Sequence, residues 1–98
     1  MEKYLMDKLY ACIAALGEKY HAEKIVLFGS RARGDNKERS DIDLAIYGMP
    51  KGNHAPFWSD VDELPTLLQF DLVHVTEDTD AELVKNIKRD GVVLYEKG

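Results

Sequence analysis

FGSRARGDNKERSDIDLAIYG, residues 28–48, is the stretch on which the reading of this chain turns. It opens with a Gly-Ser pair, continues through a loop of arginines, and closes on two aspartates one residue apart. The segment DIDLAIY (41–47) alternates. Ile42, Leu44 and Ile46 share one face of a strand, and Asp41, Asp43, Ala45 and Tyr47 share the other. Side chains at i and i+2 stand about 6.5–7 Å apart, so Asp41 and Asp43 can converge on hard divalent cations. An Asp-x-Asp alone also describes a solvated strand face, because so short a pattern recurs by chance.

What precedes the aspartates changes that balance. KIVLF (24–28) is a short β-branched run that reads as a buried strand, and Gly29-Ser30 follows it directly. Glycine lets the backbone approach a ligand closely, and amides at a following helix start can hold phosphate oxygens. Ser30 adds a hydroxyl, while Arg31 and Arg33 offer guanidinium forks. Taken alone, GSRARG is an ordinary turn with exposed arginines. An anion cradle beside a divalent-cation site, however, is what a nucleoside triphosphate with Mg²⁺ requires.

Working outward, residues 3–20 place Leu5, Leu9, Ile13, Leu16 and Tyr20 at helical spacing. The spacing predicts one amphipathic helix, fraying near Gly17, with Cys12 as a small buried hydrophobe on it. GMPKGNHAP (48–56) reads as a loop, and Phe57, Val61 and Leu64 as a short helix ended by Pro65. Phe57 and Trp58 are candidates for the core or for a partner-facing patch, the core being the more frequent place for such side chains. LLQFDLVHV (67–75) is the third strand, and Asp71 within it needs a partner or a purpose if buried, a salt bridge being the plain alternative. Thr79 and Glu82 suggest a capping box for a last helix, Gly91 its stop, and VVLYE (92–96) a final strand. The order describes one small α/β domain over residues 1–98, its helices packed mainly on one face of the sheet.

Composition restricts the function further. Ninety-eight residues allow one modest core and no separate acceptor domain. The net charge of −5 disfavours a polynucleotide partner. Residues 31–39 hold four basic and two acidic side chains, a net of +2, which leaves −7 elsewhere. A positive loop on an acidic body suits a small anion. Cys12 is the single cysteine, so no intrachain disulfide forms, and no run approaches a bilayer span. The expected setting is cytoplasmic, with no membrane contact. His21, His54 and His74 are too scattered for a zinc motif, and no GKS or GKT supports a P-loop.

Gly-Ser, ten intervening residues and Asp-x-Asp resemble the signature of the DNA polymerase β nucleotidyltransferase superfamily. The wording GSRARG…SDIDLAI is closest to its minimal nucleotidyltransferase (MNT) branch, many of whose members are encoded beside a HEPN-domain protein and act as antitoxins. The resemblance implies a nucleotidyltransferase fold with a mixed sheet of about four strands. It implies that Gly29 and Ser30 hold the nucleotide phosphates and that Arg33 contacts the triphosphate. Asp41 and Asp43 would be metal-binding carboxylates, and Asp71 a third, as ligand or base. The activity implied is transfer of AMP from ATP, with two Mg²⁺ ions, to a hydroxyl of a HEPN-type partner protein. Two rivals remain. One is a non-catalytic nucleotide-binding module that masks its partner. The other is a nucleotide-sugar transferase, which leaves Gly29-Ser30 without a role. Self-association is left open.

Overall fold

The computed structural model describes the backbone of residues 2–98 and the side chains from residue 4 onward. Helix α1 (Glu2–Lys19) leads into strand β1 (Lys24–Phe28), a four-residue helix α2 (Ser30–Arg33) and strand β2 (Ile42–Tyr47). A single 3₁₀ turn (Lys51–Asn53) runs into helix α3 (His54–Asp62). Strand β3 (Phe70–Val75), helix α4 (Ala81–Asp90) and strand β4 (Val92–Glu96) complete the order. The sheet runs β3-β2-β1-β4; β1 is antiparallel to β2 and β4, and β2 is parallel to β3. The sheet is therefore mixed, as the resemblance implies.

Alternation along the strands divides the core. Ile25, Leu27, Ile42, Leu44 and Ile46 face α1 and α3, where Leu9, Ile13, Phe57 and Val61 are buried against them. Val26, Phe28 and Ala45 point the other way and meet Ile87 of α4. Two of the three longer helices thus cover one face, and α4 alone covers the second. That thinner cover leaves one end of the second face open, and there the aspartates stand. Gly17 lies where α1 crosses the sheet. A Cβ there would come 2.8 Å from Ile25 Cδ1 and 3.0 Å from the Tyr95 ring, so glycine sets the close approach of helix to sheet. Phe57 is fully buried. Phe57→Ala is expected to destabilise the chain by about 3–5 kcal/mol in urea unfolding, through lost burial and a residual cavity.

Several expectations are corrected. Cys12 is exposed, because it lies beside the Leu9–Ile13 stripe and not on it. Leu5 is 59% exposed although it continues that stripe. Trp58 is 54% exposed while its neighbour Phe57 takes the core position. α3 ends at Asp62, short of Pro65, and residues 67–69 stay outside β3. The α4 cap is Asp80, whose carboxylate accepts the Leu83 N–H, while the Thr79 hydroxyl accepts the Thr76 N–H instead. Asp71 is exposed, so it carries no burial penalty and needs no compensating ion pair.

Candidate nucleotide and metal site

The sheet register assembles the site. Phe28, the last residue of β1, pairs with Asp43, so the Gly29 turn leaves the sheet directly beside that carboxylate. In the parallel pairing Asp43 is the register partner of Asp71, with Cα atoms about 4.8 Å apart by strand spacing. Asp41 sits one residue before β2, exposed, on the same side as Asp43. Asp71 is thus brought to the aspartate pair by a strand pairing that joins residues 28 positions apart in sequence.

Gly29 has φ 75° and ψ −156°, a conformation open essentially to glycine alone. A Cβ built there would overlap Asp43 Oδ2. Backbone and carboxylate are in direct apposition. Helix α2 then starts at once: the Ala32 and Arg33 N–H groups both donate to the Gly29 carbonyl at 3.1 Å. The Ser30 and Arg31 amides come before these bonds, at the end of a short helix where donors have no intrahelical partner.

The two arginines separate in role. Arg31 Nε donates to the Ser40 carbonyl and Arg31 Nη2 to the Glu38 carbonyl, both at 3.0 Å. It builds the loop that carries Asp41 and is not free for phosphate, which corrects the reading of Arg31 as a second fork. Arg33 Nε donates to Asp35 at 3.1 Å, and its Nη1 lies 3.8 Å from Asp90. The Asp35 pair is exposed and the Asp90 contact is long, so a phosphate can displace both.

Asp43 is half-buried. Burial pushes its carboxyl pKa up, the charges of Asp71 and Asp41 push it further, and Arg33 opposes them. Among the described residues, no cation lies within ion-pair distance of these three carboxylates. Nor, among the described residues, does any set of three His, Cys, Asp or Glu side chains close into a metal cage. The donor chemistry nonetheless fits Mg²⁺, a hard cation that takes one or two carboxylates and completes its shell with water and substrate phosphates. Mutual repulsion at Asp43 is what a cation arriving with a triphosphate would relieve.

The histidines lie elsewhere. His54 and His74 stack with ring centroids 3.6 Å apart, and burial, then His54, lowers the His74 pKa. Sequence reasoning missed this pair, since nothing local links residues 20 positions apart. No helix among the described residues is long and apolar enough to cross a membrane.

Residues 11–98 match the family described as Polymerase beta, Nucleotidyltransferase. The chain belongs to that family. Within this nucleotidyltransferase family it is similar to two Methanocaldococcus jannaschii proteins provisionally named protein adenylyltransferases. One, MJ1215, is 33% identical over 65% of this chain and 74% of its own length. The other, MJ0128, is 34% identical over 76% of this chain and 79% of its own. The fold of this nucleotidyltransferase also matches that of a toxin–antitoxin solved with AMP-PNP. There the TM-score is 0.62 at 22% identity, over 85% of this chain and 69% of the other. A double Asp-to-Glu mutant of the MntA-HpeT toxin–antitoxin matches with TM-score 0.66 at 20% identity, over 90% and 73%. The family resemblance drawn from Gly29-Ser30 and Asp41-x-Asp43 is borne out.

Proposed function

We propose that this nucleotidyltransferase moves AMP from ATP onto a hydroxyl of a partner protein and thereby silences a toxin. The observation that carries the proposal is the apposition of Gly29 to Asp43, with Asp71 as the register partner of Asp43 on the next strand. It sets the Gly29 turn, the candidate phosphate cradle, against the candidate metal-binding carboxylates. Relatives named as protein adenylyltransferases support the reaction class, and the toxin–antitoxin neighbours support the biological setting.

In this reading the acceptor oxygen attacks the α-phosphorus of ATP. The bond from that phosphorus to the bridging oxygen breaks, and pyrophosphate leaves. The acceptor proton passes to a site carboxylate, for which exposed Asp71, the register partner of Asp43, is the candidate. Ser30 and the amides of α2 steady the triphosphate with Arg33. Asp41, Asp43 and Asp71 would hold magnesium, whose charge would stabilise the attacking and leaving oxygens. The partner expected is a HEPN-type helical protein encoded alongside.

The direct test incubates the chain with ATP, Mg²⁺ and the product of the adjoining reading frame, and records intact masses. One or more AMP units should appear on the partner, with loss of its toxicity. If toxicity is suppressed without any mass change, and Asp41→Ala suppresses it equally well, masking replaces catalysis. Donor binding has its own readout. ATP should raise the melting temperature with Mg²⁺ and much less with EDTA. Arg33→Ala should weaken that response by about tenfold in apparent Kd, because a charge-assisted phosphate contact is lost.

A further inference from the structure

One concavity of the described residues lies apart from the paired aspartates. It is an apolar groove of about 830 Å³ between α1 and the segment before β3, walled by Leu5, Leu9, Cys12, Pro65 and Leu68, with Glu38 at its end. Glu38 and Leu68 also line a second depression that contains Asp41 and the projecting Leu67. The groove is therefore continuous, through Glu38 and Leu68, with the depression that holds Asp41. Leu67 is fully exposed in that second depression, and Leu5 is 59% exposed in the groove.

The wall between groove and site is mechanically part of the site. Arg31, the residue after Ser30, donates to the carbonyls of Glu38 and Ser40, and its Nη1 reaches Met6 Sδ of α1 at 4.0 Å. One side chain thus ties the groove's helix to the loop that ends at Asp41. A triphosphate has no affinity for an apolar trough, so the groove is not the donor's place. A second copy of the chain seated there would cover the depression at Asp41 and obstruct the chemistry. The occupant compatible with turnover is one that must bring a hydroxyl to Asp41 and then leave.

We propose that this groove is the acceptor-docking surface. An apolar-faced segment of the acceptor polypeptide lies along Leu5, Cys12 and Leu68 and clamps under Leu67, which delivers its hydroxyl-bearing residue to the carboxylates. The proposal deepens the adenylyltransfer reading and rests on it for the identity of the occupant. The groove selects the acceptor, and the Gly29–Asp43 apposition handles the donor.

Cys12 supplies the probe, being the only cysteine and a wall residue. Its alkylation by N-ethylmaleimide is timed with and without the protein encoded by the adjoining frame, and AMP transfer to that protein is measured in parallel. The partner should slow alkylation tenfold or more. Leu67→Asp, at a position too exposed to disturb folding, should lower kcat/KM for partner modification at least tenfold. It should leave the thermal response to Mg-ATP unchanged. If transfer proceeds while Cys12 reacts at the same rate with or without partner, and Leu67→Asp transfers normally, the groove proposal is overturned and adenylyltransfer stands. If transfer never occurs yet the partner shields Cys12, the groove is the docking surface and the transfer reading fails. If neither transfer nor shielding occurs, both fall. Shielding that grows with the concentration of the isolated chain would give the groove to a second copy and overturn the proposal.

Discussion

Gly29→Ala is expected to abolish Mg-ATP binding and to destabilise the chain, although it adds a single methyl group. Two independent costs fall on that methyl. The backbone at φ 75° and ψ −156° lies where an L-residue is strained by about 1–3 kcal/mol. The new Cβ also overlaps Asp43 Oδ2, so either the turn or the carboxylate must move. Moving the turn drags Ser30 and the start of α2 away, since the Ala32 and Arg33 amides are anchored on the Gly29 carbonyl. Moving the carboxylate displaces the central member of the aspartate cluster. Either response dismantles the site, so the thermal shift with Mg-ATP should vanish. The melting temperature without ligand should fall by several degrees. Gly34→Ala is the control. Gly34 also has a positive φ, at 85°, but a Cβ there meets nothing within 4 Å, so only the backbone penalty applies and nucleotide binding should persist. Equal loss of binding in the two variants would mean that backbone strain, and not the Gly29–Asp43 apposition, governs the site.

The parts of this architecture that depend on local chemistry were legible in the sequence. β1 and β4 lie where their β-branched runs predict, and the alternation of 41–47 gave the correct face for Asp43. The motif residues could be named because Gly29-Ser30 and the aspartates occupy one short stretch. What could not be read depends on which elements meet. No local pattern says that β2 and β3 run parallel in a register opposing Asp43 to Asp71. The family resemblance supplied Asp71, and the burial argument for it was mistaken because its strand is an edge strand with that face open. Cys12, Leu5 and Trp58 were misplaced for the same reason. Periodicity tells which side chains share a helix face, but not whether another element covers it. Here the uncovered part of α1 became a groove. Arg31 and Arg33 look equivalent in GSRARG, and only the fold of residues 34–40 gives one to the loop and leaves the other beside Asp43.

Asp43→Asn is expected to part activity from stability. Transfer should fall by about a thousandfold or more, since a bound cation supplies several kcal/mol of charge stabilisation and each 1.4 kcal/mol is roughly tenfold in rate. The ligand-free protein should be as stable as the parent or more so. The sign follows from the direction of the Asp43 shift. Burial, then Asp71 and Asp41, raise its pKa in the folded chain, so folding favours the protonated form. Its favourable contribution is complete below the unfolded carboxylate value of about 3.9 and is lost as pH rises through the higher folded value. At neutral pH the ionised carboxylate is a repulsive charge that asparagine removes with little change of shape. The stability advantage of Asp43→Asn in EDTA should therefore be largest near neutrality and shrink as pH falls through the raised value. Urea unfolding at several pH values measures it. Mg-ATP should reverse the ranking, stabilising the parent and not the variant, because the repulsion that weakens the empty site is what draws the cation in. A variant that unfolds in metal-free buffer would make Asp43 a structural residue and remove the physical basis for the carboxylate cluster as a cation site.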